Sequence, residues 1–184
     1  QALESILNQN CTYSFEILIH DDASTDQTAS IIKDFELKHP NIIKPIYQSQ
    51  NQRSKIGGGM NPTFNFNRAK GRYLAFCEGD DFWLNPNKLQ IQVDFLEKNN
   101  SYGAIVTDYN KVNENGEAII FNFLKTYYLE KSSRDLQLKS FFKSEIKRMR
   151  TITSVIRKSS INDLMIKGFL KNCPGDTQIF THLI

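Results

Sequence analysis

Apolar positions along this chain change period again and again, and each change marks an element. Leu3, Ile6 and Leu7 recur at helical spacing, which predicts a helix over 2–9. Residues 15–20 form a compact run, Phe-Glu-Ile-Leu-Ile-His, which predicts a strand. Ser24 and Gln27 have the spacing of a capping box, so a helix is expected to start there, with Ile31, Ile32 and Phe35 as its stripe and Pro40 beyond its end. Residues 42–48 read as a strand whose Pro45 demands an edge position. Residues 48–60 read as a loop, its Gly57-Gly58-Gly59 triplet resisting order. Asn61-Pro62 has the form of an N-cap and first-turn proline, opening a helix that closes near Lys70-Gly71.

The apolar run Tyr73-Leu74-Ala75-Phe76-Cys77 predicts a buried strand. A helix over 86–98 follows, with Leu89, Val93 and Leu96 inward. Residues 104–109 form another strand, and Asn115-Gly116 turns the chain into a strand over 118–123. Residues 133–142 read as a helix, 151–156 as β-rich, and 161–167 as a short helix closed by Gly168. After a turn at 173–176, a last helix is expected from Asp176 or Thr177 and still runs at Ile184. Helices and strands alternating in this way predict an α/β domain with a mainly parallel mixed sheet flanked by helices. Such a sheet needs a strand before its first helix, so the sequence is expected to begin one strand late and to be trimmed at both ends.

Composition narrows the class without naming it. With 184 residues, 40% hydrophobic and 23% charged, the chain can build one globular core. A net charge of +3 is too small to argue for a nucleic-acid partner. No run of about 18 apolar residues appears, and no signal peptide is visible. Cys11, Cys77 and Cys173 fit neither a disulfide framework nor a zinc pattern, so a reducing, cytoplasmic setting is expected.

The chemistry gathers at two strand ends. The run over 73–77 breaks into Glu78, Gly79, Asp80 and Asp81. Three carboxylates so close repel one another, and a divalent cation such as Mg²⁺ or Mn²⁺ removes the conflict. One such turn alone reads best as a solvated loop. A second acidic strand end, Asp21-Asp22, changes the balance, because open α/β sheets bind ligands beyond the carboxyl ends of their strands. Arg53 and Lys55 could meet a pyrophosphate or simply face water. In 139–150, Lys139, Lys143, Lys147, Arg148 and Arg150 alternate with Phe141, Phe142, Ile146 and Met149. That pattern suits an amphipathic helix on the core, ahead of a helix on an anionic membrane surface.

With both acidic ends in view, a family resemblance is plain. Residues 16–28, Glu-Ile-Leu-Ile-His-Asp-Asp-Ala-Ser-Thr-Asp-Gln-Thr, resemble the strand-then-DDxSxDxT segment of family 2 glycosyltransferases. Residues 70–83, from Lys70-Gly71-Arg72-Tyr73 to Trp83, resemble their KGxYxxxxDxDD segment in an EGDDFW form, and 88–96 continue it. Residues 151–157 look like the strand facing the acceptor, and Pro174-Gly175-Asp176 resembles the segment with the catalytic carboxylate.

The resemblance implies a GT-A fold, with a donor-binding half over 1–98 and an acceptor-side half over 99–184. It implies donor contacts from Asp21, Asp22, Ser24, Arg53, Asn61, Glu78, Gly79 and Asp80. Asp80 and Glu78 would hold the metal, and Asp176 would be the general base. Glu78 stands where the family has Asp, keeping the charge on a longer arm. Met60-Asn61 stands where many relatives have Arg-Asn, which leaves Arg53 or Lys55 to supply positive charge.

The implied reaction is inverting sugar transfer from a nucleoside diphosphate, UDP first among candidates, to a glycan or lipid-linked acceptor in surface polysaccharide synthesis. It would take place in the cytoplasm or at the inner membrane face, with peripheral contact through 139–150. The rival is a non-catalytic nucleotide-sugar-binding or degenerate module, favoured by Glu78 and the missing strand and opposed by an intact Asp176. A Mg²⁺-dependent phosphotransfer domain is a second rival, but no lysine stands at a later strand end as that chemistry needs.

Overall fold

The computed structural model describes residues 1–56, 63–120, 151–160 and 177–183. A short helix α1 (Ala2–Leu7) leads into β1 (Phe15–Asp21), α2 (Thr28–Lys38) and β2 (Ile43–Tyr47). One helical turn, α3 (Arg53–Ile56), precedes β3 (Tyr73–Glu78), and α4 (Lys88–Lys98) precedes β4 (Ala104–Val106). A hairpin of β5 (Lys111–Val112) and β6 (Ala118–Ile120) turns at Gly116, whose φ of +80° suits glycine. A 3₁₀ turn over 151–153 enters β7 (Ser154–Arg157), and β8 (Thr177–Leu183) completes the described chain.

Six strands form one sheet in the order β2-β1-β8-β3-β7-β4. β1 and β2 pair in parallel, while β8 runs antiparallel to both β1 and β3, and β7 antiparallel to both β3 and β4. The carboxyl ends of β1, β2, β3 and β4 therefore share one edge of the sheet. Period-2 alternation splits the buried side chains between two faces. Ile17, Ile19, Tyr73, Ala75 and Cys77 join Leu3, Ile6, Ile32, Leu89, Val93 and Leu96 from the helices. Leu18, Leu74 and Phe76 pack instead on Phe66 and Ala69. β2 lies at the sheet edge, where the missing N–H of Pro45 leaves no central ladder broken.

Besides the helix expected to close near Lys70-Gly71, which gives way to turns over 65–68, the sequence-based expectations need four corrections. Ser24 and Gln27 form no capping box. The Ser24 hydroxyl donates to Asp21 Oδ1, Ala23 adopts φ +61°, and Gln27 makes no side-chain cap bond. α2 starts at Thr28 instead, where Asp26 Oδ1 accepts the Thr28 N–H at 2.9 Å. The loop over 48–60 contains α3, because Asp22 binds its first N–H groups, as described below. The strand expected over 104–109 stops at Val106.

The fourth correction is the largest: the expected final helix is strand β8. Thr177, Ile179 and Thr181 are β-branched at every second position, a pattern that favours extended chain over helix. β8 lies beside β1 and β3, between them in the sheet. The glycine triplet, Asn61-Pro62, the helices expected over 133–142 and 161–167, the basic stretch over 139–150 and the turn over 173–176 lie outside the described residues.

Candidate active site

The carboxyl edge of the sheet carries both acidic strand ends, and the structure treats them differently. At the end of β1, Asp21 and Asp22 are buried, 2% and 4% exposed. Asp21 is engaged by the Ser24 hydroxyl. Asp22 accepts the Gln52 N–H on Oδ1 at 2.7 Å and the Arg53 N–H on Oδ2 at 2.9 Å. Its carboxylate thus holds the first turn of α3 and fixes the path of the chain after β2. Lys55, the other cation expected near a pyrophosphate, donates to Gln50 Oε1 at 2.7 Å.

His20 is fully buried just before this pair. It stacks on Phe64 at 4.3 Å and meets Gln48 Nε2 through its own Nε2 at 3.1 Å. Its Nδ1 has no hydrogen-bond partner among the described residues. Burial holds its pKa below the ordinary histidine value against the opposing pull of Asp22 and Asp21, so the ring is neutral at physiological pH. Nearby, the Arg68 guanidinium donates to Ile19 O at 3.0 Å and to Asn65 Oδ1 at 2.7 Å.

At the end of β3 the chain folds back in a turn, the Asp81 N–H donating to Glu78 O at 3.1 Å across Gly79 and Asp80. This turn brings carboxylate oxygens of Glu78, Asp80 and Asp81 within 4.8 Å of one another. Glu78 and Asp81 are half-buried, while Gly79 and Asp80 are exposed. An all-oxygen, all-anionic set of this kind fits a hard divalent cation. Cys77, one residue earlier, is buried, and burial followed by the neighbouring carboxylates pushes its thiol up to about 12. It is a packing residue with no reactive thiolate.

Asp80 and Asp81 also border a cavity of about 370 Å³. Its other described walls include Trp83 and Lys88 after β3, Thr107, Asp108 and Tyr109 after β4, and Thr153 before β7. Trp83 is fixed at both ends: its backbone N–H donates to Ser5 Oγ at 3.0 Å and its Nε1–H to Ile152 O at 3.2 Å. Gln9 secures the start of α4, accepting the Leu89 N–H at 3.1 Å and donating to Asn85 O at 2.9 Å. Sequence reasoning had overlooked this cavity. Its one early sign was that Lys88 and Gln92 fall on the same inward helical stripe as Leu89, Val93 and Leu96.

Glu78, Gly79 and Asp80 therefore come together, and Asp21, Asp22, Ser24 and Arg53 form a second group at the β1 end. Asn61 and Asp176 lie outside the described residues.

An α/β sheet of parallel and antiparallel strands, flanked by helices and carrying acidic groups beyond its carboxyl edge, is the GT-A type of architecture. The family profile described as "Glycosyl transferase family 2" matches residues 1–162. This chain belongs to that family. Among similar proteins, the "Uncharacterized protein Rv1520" of Mycobacterium tuberculosis is 39% identical over 98 residues, covering 53% of this chain and 27% of that protein. The "Putative glycosyltransferase EpsE" of Bacillus subtilis is 36% identical over 107 residues, 58% of this chain and 36% of that one. The "Uncharacterized glycosyltransferase MJ1057" of Methanocaldococcus jannaschii is 26% identical over 171 residues, 91% and 55% respectively. The chain thus spans between about a quarter and about half of the length of these relatives. No helix among the described residues is long and apolar enough to cross a membrane.

Proposed function

We propose that this domain moves a sugar, with inversion, from a nucleoside-diphosphate donor to an acceptor hydroxyl, UDP being the first candidate nucleotide and surface polysaccharide the product class. The observation that carries the reading is the meeting of Glu78, Asp80 and Asp81 within 4.8 Å at the carboxyl end of β3. Carboxylates this close favour a bound cation over mutual repulsion, and a diphosphate needs that cation to approach them. Asp80 and Glu78 would hold Mg²⁺ or Mn²⁺, which when bound supplies charge stabilisation to the leaving diphosphate.

The chain's own residues divide the remaining work. Asp21 and Ser24 would face the nucleoside from the end of β1. Asp22 would act at one remove, shaping the Gln52–Arg53 backbone that borders the same edge. Asp176 is the proposed general base, taking the acceptor hydroxyl proton as the new bond forms. Residues 1–98 would form the donor side and 99–184 the acceptor side. The basic-aromatic stretch over 139–150 would meet anionic lipid at the inner membrane face, where a lipid-linked acceptor would be presented.

Calorimetric titration of the full chain with UDP, in Mn²⁺ and after EDTA, tests the reading. It expects binding in Mn²⁺ that weakens at least tenfold in EDTA. Equal affinity in both buffers would overturn the metal role.

A further inference from the structure

The cavity beside the carboxylates holds a hydrogen-bond donor that the proposed reaction does not use. Lys88 begins the inward stripe of α4 and is only 7% exposed. Its Nζ donates to Gln92 Oε1 at 2.6 Å and stands 4.4 Å from the centroid of the Trp83 ring. Gln92 is itself anchored, donating to Thr153 O at 2.9 Å. No carboxylate among the described residues lies within ion-pair distance of Nζ. A buried amine without a counter-charge is costly, and a stripe that needed only filling would be cheaper with Leu or Met. What distinguishes the position is the cavity that Lys88 lines.

The polar walls of that cavity are complementary in kind. Asp80, Asp81 and Asp108 offer only acceptor oxygens when ionised. Nζ, charged or neutral, keeps at least one N–H beyond the one that Gln92 accepts. A hydroxyl group is the ligand chemistry that satisfies both, donating to a carboxylate while accepting from the amine. An anion is disfavoured, since three carboxylates border the space against one amine. The Trp83 ring adds an apolar wall for the C–H face of a ring. A volume of about 370 Å³ has room for a small cyclic polyol.

We propose that Lys88 is a specificity-determining residue that donates a hydrogen bond to a hydroxyl oxygen of a neutral pyranose bound in this cavity. The proposal rests on reading the site as a sugar-transfer centre. The pyranose comes either from the donor or from the acceptor, and the experiment separates the two.

Trp83 is the chain's only tryptophan, so its emission reports on the cavity directly. Wild type, Lys88→Met and Lys88→Gln are titrated in the full chain. One arm uses UDP, UDP-glucose, UDP-galactose and UDP-N-acetylglucosamine with Mn²⁺. The other uses the methyl glycosides of the same sugars, and their monodeoxy derivatives, without nucleotide. The expected result is a sugar that shifts Trp83 emission in wild type and binds Lys88→Met at least ~10-fold more weakly. UDP affinity changes less than about twofold, and Lys88→Gln, which retains an N–H, recovers part of the loss. One monodeoxy derivative binds wild type as weakly as its parent binds Lys88→Met, which identifies the hydroxyl. A response in the first arm assigns the pyranose to the donor, and in the second to the acceptor. Equal affinity of wild type and Lys88→Met for every sugar, even with a changed melting temperature, overturns the proposal, as does a Trp83 emission that no sugar moves. Failure of UDP alone to bind counts against the nucleotide reading and leaves the glycoside arm to decide on Lys88.

Discussion

Two acidic strand ends share one edge of the sheet, and they do different physical work. At the end of β1, Asp21 and Asp22 are buried and bonded to their own chain, Asp21 by Ser24 and Asp22 by the Gln52 and Arg53 N–H groups. At the end of β3, Glu78, Asp80 and Asp81 converge beside an open cavity, and Asp80 stays exposed. Acidic residues at the first end build the loop that borders the site. At the second they concentrate negative charge, three carboxylates meeting within 4.8 Å. A carboxylate with both oxygens on backbone N–H groups is held by its own chain, whereas a set of carboxylates facing one another favours a bound cation.

The sharpest break between the ends should come from nucleotide affinity. Asp80→Ala is expected to weaken Mn²⁺-dependent UDP binding by at least ~100-fold, the upper end of what even outer-shell partners of a metal cost. Its melting temperature should hardly move, because Asp80 is exposed. Of similar size is the effect on turnover of Asp176→Asn. Asn is close to Asp in size but takes no proton at neutral pH, so kcat should fall ~10²-fold or more with donor affinity unchanged. Near-normal turnover would send the search for the base elsewhere.

Asp22→Ala should show the opposite profile. Losing a charged acceptor from two backbone donors is expected to destabilise the fold by about 2–3 kcal/mol, read in a urea or thermal melt. A melt as stable as wild type would contradict the architectural role of the β1 end.

A subtler effect concerns Lys88, whose pKa burial lowers to about 7 from the ordinary 10.5. Between those values the unfolded chain binds the proton that the folded chain has released, so this group adds stability as pH rises from about 7 toward 10.5. Below about 7 the buried amine must carry its charge, and that contribution is lost. Lys88→Met should therefore gain on wild type in acid, with the gap narrowing as pH rises through that window. A difference constant across the window would show that Lys88 titrates normally.

Much of this division was legible in the residues. The apolar runs ending in Asp21-Asp22 and in Glu78-Gly79-Asp80-Asp81 located both strand ends, and Pro45 placed β2 at an edge. What the residues did not reveal was which carboxylates would be occupied. Asp22 is satisfied by N–H groups 30 and 31 residues away, a partner that local spacing cannot supply. The Ser24–Gln27 capping box failed because α2 starts only at Thr28, which leaves Ser24 ahead of the N-cap. At β8, Asp176-Thr177 imitates a helix start, while the alternate β-branched residues that follow favour extended chain. Lys88 and Gln92 were visible as polar positions on an inward stripe, but only the cavity gives them a meaning.

The most direct test of the contrast is Mn²⁺ binding itself, read as loss of the free-ion electron paramagnetic resonance signal with UDP present. Wild type, Asp80→Ala and Asp22→Ala should be titrated at a temperature where all three are folded. The expected result is about one ion bound by wild type and by Asp22→Ala, with binding lost in Asp80→Ala. Mn²⁺ held equally by Asp80→Ala, or lost only with Asp22, would place the cation at the other strand end and contradict the account.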